Sequence, residues 1–413
     1  MDCGRRIARL QVLTLPGLLL FTACGGGSDR SGSADPHECA PQPTSSALVN
    51  VRDKGAKGDG SSDDTAAIQA AVDAVGGTGG TVYVPDGVYR INPTAVASGG
   101  NHGIGMKSNM TLQLSAGATL KALPSASASY AIVAIPGASN VTIIGGTLEG
   151  ERSAHTSTGG EWGMGLSILA SDRVVVEDVT ARECWGDGFY ISGGSGACHD
   201  VTLCRVSADH NRRQGLSITN VDGLVVRHST FQNTTGTPPE AGIDIEPNQG
   251  ETVSNVLIAD CTFSNNAGGG FQAGVPVAHT GLAFTTGIVF DGNTVTGNGV
   301  NPMGGGYSRA VYITNCDGTQ ITTNRVQDNT GEGILLTQKA THTLVEHNTV
   351  TGTLSIPGFD YWSGGGIYLA SCENSTISGN TVTGNQGFGI VQPSADATVI
   401  LSDNTVSGNG KTP

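Results

Sequence analysis

Gly188-Phe-Tyr-Ile-Ser192, Gly215-Leu-Ser-Ile-Thr219 and Gly242-Ile-Asp-Ile-Glu246 share one pattern, in which glycine precedes alternating apolar and variable residues. Successive side chains of a β-strand point to opposite faces, so the apolar members predict a buried face and the variable members an outer face. The pattern recurs along the chain and predicts one column of outer residues in neighbouring strands: Ser167, Tyr190, Ser217, Asp244, Gln272, Tyr312, Leu335 and Tyr368.

A second column recurs every 24 to 32 residues: Leu148, Val179, Val206, Phe231, Phe263, Val295, Val326, Val350, Val382 and Val406. Repeats of this length with period-2 alternation are typical of a parallel β-solenoid, in which each turn buries its apolar face against the next. Asn stands two residues before the valine in several repeats, as at Asn293 and Asn324, and predicts a ladder of stacked side chains in a turn.

The composition agrees with a turn-rich fold of short strands. The chain has 413 residues with 63 glycines, which is too much glycine for a helical bundle, and 37% hydrophobic residues, which excludes wholesale disorder. The net charge of -14 makes nucleic acid an unsuitable partner.

The N-terminus predicts export. Arg5, Arg6 and Arg9 precede an apolar run that is too short to span a bilayer. The run ends in Leu20-Phe-Thr-Ala-Cys24, which resembles a bacterial lipoprotein signal, although Phe21 departs from the usual leucine. We therefore expect a signal peptide over 1–23, a lipid on Cys24, a flexible tether over 24–46, and a lipoprotein at the outer membrane, in the periplasm or at the cell surface.

Seven cysteines remain beyond Cys3 and Cys24, so not all of them pair within one chain. Their spacing matches no zinc site. One bridge among Cys184, Cys198 and Cys204, or buried free thiols throughout, are both compatible with the sequence.

Residues 47–413 are expected to form one domain that begins with a cap over 47–91. Ser62-Asp-Asp-Thr65 offers helix N-caps, and Ile68, Ala71, Val72 and Val75 then lie on one side of a helix that ends at Gly76-Gly77. Such an amphipathic helix is suited to cover the open edge of the first turn.

The stretch Asn50-Val-Arg-Asp-Lys-Gly-Ala-Lys-Gly-Asp-Gly60-Ser-Ser-Asp-Asp-Thr-Ala-Ala-Ile-Gln69 closely resembles the N-terminal segment of pectate-lyase-like proteins of the rhamnogalacturonase/epimerase type. The resemblance implies an all-β, single-stranded right-handed parallel β-helix that acts on a polysaccharide. Members of this superfamily catalyse hydrolysis, β-elimination or epimerisation, or only bind glycans. The resemblance therefore does not identify the reaction. Polygalacturonase carboxylate signatures are not evident, and Phe189-Tyr190-Ile191 stands where alginate epimerases carry Asp-Pro-His. The resemblance therefore assigns no catalytic residue.

Asp244 and Glu246 lie two apart on one predicted strand, with Cα atoms roughly 6.6 Å apart. Inverting glycosidases separate their acid and base carboxyls by about 6.5 to 9.5 Å. We therefore expect this pair to be catalytic, together with Tyr190, in a glycoside hydrolase that needs no cofactor. The turns beside it bring the expected substrate-binding residues: Asp187, His210, Arg212, Arg213, Ser217 and Glu240.

Two alternatives remain open. In a polyuronate lyase or C5-epimerase, Arg212 or Arg213 neutralises a uronate, Tyr190 or His210 moves the proton, and Asp244 with Glu246 binds Ca²⁺. The other is a non-catalytic glycan-binding surface protein. Independently of the function, Asp244 and Glu246 are also compatible with an ordinary solvated strand face. Under any of these hypotheses, Tyr312, Tyr361, Trp362 and Tyr368 are candidates for stacking on sugar rings.

Overall fold

A computed structural model of the chain describes Cys39 and residues 48–411, apart from 78, 98–99, 195, 275–283, 300–307, 359–361 and 394–397. The described residues do not include 1–23, Cys24, most of the 24–46 tether or Tyr361. The predictions for these residues therefore stay predictions. No described helix is long and apolar enough to cross a membrane.

The chain coils into three parallel sheets, and each strand pairs with the equivalent strand of the next turn. This confirms the right-handed parallel β-helix. Sheet A contains Leu48–Asn50, Thr81–Val84, Met110–Leu114, Ser139–Ile144, Asp172–Glu177, Cys198–Cys204, Val221–Arg227, Thr252–Ala259, Phe284–Asp291, Gln320–Thr322, Leu344–Glu346, Thr376–Ser378 and Ile400–Ser402, with Cys316–Asp317, Ala340–Thr341 and Cys372–Glu373 beside this path.

Sheet B contains Asp59–Asp63, Gly87–Ile91, Ala118–Ala122, Thr147–Glu149, Thr180–Arg182, Ser207–Asp209, Thr230–Gln232, Thr262–Ser264, Thr294–Thr296, Arg325–Gln327, Thr349–Thr351, Thr381–Thr383 and Thr405–Ser407. Sheet C contains His102–Gly105, Ser129–Pro136, Trp162–Leu169, Phe189–Ser192, Leu216–Ile218, Ile243–Ile245, Phe271–Ala273, Arg309–Thr314, Glu332–Thr337, Ile367–Leu369 and Ile390–Val391. The apolar residues of all three sheets fill one continuous core.

The N-terminal helix spans Thr65–Val75, and two 3-10 helices span Val51–Lys54 and Arg152–Ala154. The four predicted apolar residues, Ile68, Ala71, Val72 and Val75, are all buried. The helix therefore covers the first turn, as expected from its amphipathic pattern.

The predicted asparagine ladder is present. Asn293, Asn324, Asn348, Asn380 and Asn404 stack on successive turns, and the Oδ1 atoms of the last four accept hydrogen bonds from the backbone N–H and side-chain amide of the asparagine before each. A further ladder, which the sequence analysis missed, contains two segments: Asn266, Asn298 and Asn329, and then Asn385 and Asn409. Its signal was asparagine three residues after the column valine.

Replacing an interior ladder residue should be costly. Asn324→Ala removes the acceptor of the buried backbone N–H of Asn293, one of the two acceptors of its side-chain amide, and the side-chain donor to the carbonyl of Phe290. Each orphaned buried group costs about 1–3 kcal/mol, so we expect the free energy of unfolding to fall by about 3 kcal/mol or more. Asn404→Ala, on the half-buried last rung, is the matched control, because water can replace the lost bonds there. Equal shifts of the urea midpoint in the two variants would contradict this account.

The cysteine alternatives are resolved in part. Cys184 and Cys198 are buried free thiols, so no bridge forms within the trio that includes Cys204. Cys204 and Cys39 are both disulfide-bonded. The sequence analysis assigned no role to Cys39, because this residue lies in the segment interpreted as a tether.

Candidate functional site

The candidate site lies on the outer face of sheet C, where three short strands run side by side: Phe189–Ser192, Leu216–Ile218 and Ile243–Ile245. Tyr190 pairs with Ser217, and Ser217 pairs with Asp244. The whole predicted outer column has this register, from Ser167 to Tyr368. Alternation within each strand was therefore sufficient to predict which side chains share this face.

Arg213 is the centre of the polar cluster. Its Nη1 lies 3.4 Å from Oδ2 of Asp187 and donates to Oγ of Ser217 at 3.1 Å. Its Nη2 donates to Oε1 of Glu246 at 2.7 Å. A planar guanidinium with several donors suits this role, because it holds two carboxyls in fixed directions at once.

Asp187 is fully buried, and its Oδ1 has no hydrogen-bond partner among the described residues. Burial raises the pKa of this carboxyl to about 7, against the attraction of Arg213, and the charge of Glu246 raises it further. Asp187 is therefore a carboxyl that holds its proton close to neutral pH.

This shift makes a prediction about stability. The unfolded pKa of an aspartate is about 4, so the folded state binds an extra proton between about pH 4 and pH 7 and loses stability as the pH rises through that window. Asp187→Asn removes this loss. We expect the variant to gain a few kcal/mol relative to wild type between pH 4 and pH 8, measured by urea unfolding at both values. Asp200→Asn, at an exposed position of the strand Cys198–Cys204, should show no such gain. A constant difference between Asp187→Asn and wild type across this range would contradict the shift.

Asp244 is buried, with 2% of its surface exposed, so the expectation of a solvated strand face is wrong. Nε2 of Gln214 donates to its Oδ2 at 2.6 Å, and the backbone N–H of Ala241 holds Gln214 in place. Burial raises the pKa of Asp244 well above its usual value, and the charge of nearby Glu246 adds to this rise. The sequence analysis missed Gln214, although it directly follows Arg213 in the turn before the strand.

Glu246 follows its strand and differs from Asp244 in its surroundings. Its side chain is 30% exposed, and Oε1 accepts from Arg213 and from Oγ of Ser217 at 3.4 Å. The two carboxyls, two residues apart in the chain, therefore have unlike surroundings: Asp244 is buried, and Glu246 is partly exposed and paired with the buried guanidinium of Arg213. Such a pair of unlike environments separates an acid from a base.

Tyr190 is half-buried and packs against Ala131, Ala134 and Met164. Burial raises the pKa of its phenol, although hydrogen bonds with Ser192 and Thr219 oppose the rise. Tyr190 therefore presents a neutral ring and hydroxyl at one end of the cluster.

Three predicted binding residues do not join this cluster through any described contact. Arg212 lies over the ring of Trp185, 3.8 Å from its centroid, and donates to two backbone carbonyls. His210 is exposed beside Asp209, and Glu240 accepts from the backbone N–H of Gly236. The prediction that all of these side chains converge therefore holds for only part of the set. Arg212, His210 and Glu240 contact neighbouring turns, whereas Asp187, Arg213 and Ser217 lie around the carboxylate pair.

The structure does not show, among the residues it describes, the Ca²⁺ site that the sequence analysis considered at Asp244 and Glu246. Across the part of the chain that the structure describes, no group of three or more His, Cys, Asp or Glu residues has the geometry to hold a metal ion. The Arg213 guanidinium already binds Glu246 and approaches Asp187, and Gln214 binds Asp244. A cation at these oxygens would compete with an arginine.

Comparison with known proteins places the chain in a family. Residues 48–272 match the family model described as rhamnogalacturonase A/epimerase, pectate lyase-like. The chain belongs to this family. A model described as periplasmic copper-binding protein (NosD) matches residues 279–412.

Several curated relatives share part of the chain. Mannuronan C5-epimerase AlgE3 of Azotobacter vinelandii is 36% identical over 163 residues, which cover 38% of this chain and 8% of the relative. Alginate lyase 7 of the same organism is 37% identical over 38% of this chain and 16% of its own length. YclG of Bacillus subtilis (strain 168) is 29% identical over 48% of this chain and 38% of its own length. The chain thus spans well under half of each of these relatives.

Solved structures share the fold over most of the chain. The A-module of mannuronan C-5 epimerase AlgE4 from A. vinelandii has a TM-score of 0.58 and 20% identity, covering 87% of this chain and 96% of the module. An exopolygalacturonase from Thermotoga maritima has a TM-score of 0.55 and 15% identity, covering 88% and 93%. At these identities the similarity establishes the β-helix and leaves the reaction open.

Proposed function

We propose that the chain is a polysaccharide-acting enzyme that hydrolyses glycosidic bonds, with Asp244 as general acid and Glu246 as general base. The observation that carries this proposal is the unlike environment of two neighbouring carboxyls. Asp244 is buried with a raised pKa, whereas Glu246 is partly exposed and paired with Arg213. Together they supply one proton donor and one proton acceptor at the same pH.

The proposed reaction needs only these groups and water. Asp244 gives its proton to the oxygen of the leaving sugar as the bond from that oxygen to the anomeric carbon breaks. Glu246 takes a proton from the water that forms the new bond to the anomeric carbon. Arg213 and Ser217 hold Glu246 in position, and Tyr190 contacts the sugar chain beside the reacting bond. Proton exchange with solvent then restores both carboxyls.

The main competitor is elimination or epimerisation of a uronate. Similarity to mannuronan C5-epimerases and to an alginate lyase favours it, as does the phenol of Tyr190 beside the cluster. Both reactions, however, require a positive charge that neutralises the uronate carboxylate. The guanidinium of Arg213 already contacts the carboxyls of Glu246 and Asp187. This charge balance is the reason that we place hydrolysis first.

Product analysis with the full-length protein separates these functions. Polysaccharides with neutral and with uronic backbones are incubated with the protein, and reducing ends are followed together with the ultraviolet absorbance of unsaturated uronates. Hydrolysis predicts reducing ends without the absorbance. Both signals rising together would replace it with elimination, a change of C5 configuration alone would indicate epimerisation, and retention on a polysaccharide without any product would indicate a binding protein.

Export with a lipid on Cys24 is proposed separately, and mass analysis of the mature N-terminus tests it.

A further inference from the structure

Every second position of the outer column of sheet C, counted from Tyr190, holds either a tyrosine or the carboxyl of Asp244. Tyr190, Tyr312 and Tyr368 alternate with smaller or aliphatic residues, and Asp244 takes the remaining place in this series. Neighbouring strands lie about 4.8 Å apart, so members of the series are about 10 Å apart along the coil axis. The reacting carboxyl and three tyrosines therefore form one straight row.

The tyrosines are more exposed than two of the three residues between members of the row. Ser217 is fully buried and Leu335 is 4% exposed, whereas all three tyrosines are half-buried. Gln272, between Asp244 and Tyr312, is half-buried like the tyrosines. The three tyrosine rings are therefore partly exposed on this face.

Each ring is braced by neighbouring side chains. Tyr190 packs against Ala131 and Met164. The guanidinium of Arg309 lies 4.7 Å from the ring centroid of Tyr312, and Trp362 stacks on Tyr368 with centroids 5.4 Å apart. A tyrosine ring that is already held by its neighbours loses little conformational freedom when a ligand packs against it. Such a ring is suited to binding a sugar.

Periodicity identifies the class of ligand. In an extended ribbon-like glycan, successive sugars are flipped, so the same face returns at every second sugar. The length of that two-sugar repeat is close to two turns of the coil. We propose that Tyr190, Tyr312 and Tyr368 are alternate-sugar platforms for a ribbon-shaped, β-1,4-linked glycan that lies along the coil axis across Asp244 and Glu246. The inference rests on the proposed function only for the position of the reacting bond.

Binding by the full-length Glu246→Gln protein tests the platforms without turnover. The probes are cello-oligosaccharides and mannuronate oligosaccharides of graded length, which separate a neutral from an anionic ribbon, and malto-oligosaccharides, which are curved. We expect the affinity for one ribbon series to rise in steps of two sugars, and malto-oligosaccharides to show no such steps. Smooth gains with each added sugar, or equal binding of the curved series, would overturn the inference.

Single substitutions locate the steps. In the Glu246→Gln background, Tyr368→Ala should remove only the gain of the longest oligosaccharides, by about 3- to 10-fold, and Tyr312→Ala should weaken shorter ones as well. Tyr312→Phe and Tyr368→Phe keep the ring and should bind within about twofold of the parent, so a loss in alanine variants alone is not a folding effect. Stepwise binding by a wild-type protein that forms no product would contradict the proposed hydrolysis and leave the platforms standing. Cleavage by the wild-type protein, with unchanged affinities in both alanine variants, would contradict the tyrosine platforms and leave the proposed hydrolysis standing.

Discussion

Glu246→Gln should lower the rate of glycan cleavage by about 100- to 10,000-fold, because general base catalysis contributes on this scale. The glutamine keeps the shape of the side chain and removes the proton acceptor. Asp244→Asn should cause a loss of similar size on a natural polysaccharide, since it removes the proton donor. Asp200→Asn, at an exposed position of the strand Cys198–Cys204, should retain activity within about twofold and serves as the control.

The two variants should differ when the leaving group needs no proton. With a dinitrophenyl glycoside of the cleaved sugar, Asp244→Asn should recover most of its activity, whereas Glu246→Gln should stay slow because water still needs a base. Full activity of either single variant on the polysaccharide would show that the carboxyl in question has no catalytic role. Equal recovery of both variants would reverse or remove the assigned roles.

Arg213→Met should lower the free energy of unfolding by about 3–5 kcal/mol at pH 8, because it leaves buried carboxyls without their cation. Asp187 and Asp244 are both buried, and Arg213 is the positive charge that opposes the rise in their pKa values. Without it, the folded-state pKa of each carboxyl moves further above its unfolded value. Stability is then present at low pH and lost as the pH rises, so the deficit should shrink from pH 8 to pH 5.

Urea unfolding at both pH values measures this effect. Arg213→Lys is the matched variant, since it keeps the charge without the two-pronged geometry, and it should lose less stability than Arg213→Met at pH 8. A methionine variant as stable as wild type at pH 8 would contradict the central place given to this arginine. A deficit that grows towards pH 5 would contradict the charge argument.

Alternation, the 24- to 32-residue repeat and the resemblance of residues 50–69 together predicted the fold and the register of the candidate face. Strands with a two-residue period have only two faces, so the column from Ser167 to Tyr368 follows once one strand is placed. The first asparagine ladder followed for the same reason, since equivalent turns in a solenoid lie directly above one another.

Burial within the site did not follow from the sequence. Adjacent arginines look alike there, yet Arg213 binds the carboxyl cluster whereas Arg212 lies on Trp185. Alternation predicts only the face of the sheet to which the side chain of Asp244 points. Whether that side chain is exposed depends on packing by neighbours such as Gln214. The raised pKa values depend on this packing and were beyond prediction from the residue pattern.

The most direct test of the proposed hydrolysis follows the atoms of the solvent. Full-length protein is incubated with the polysaccharide that it consumes in ¹⁸O-enriched water and, separately, in deuterated water, and early products are analysed by mass spectrometry. Our account predicts one ¹⁸O atom at the new reducing end for each cleaved bond, no deuterium on carbon, and loss of this incorporation in Glu246→Gln. Unsaturated products without ¹⁸O, or deuterium at C5 of a uronate, would contradict it.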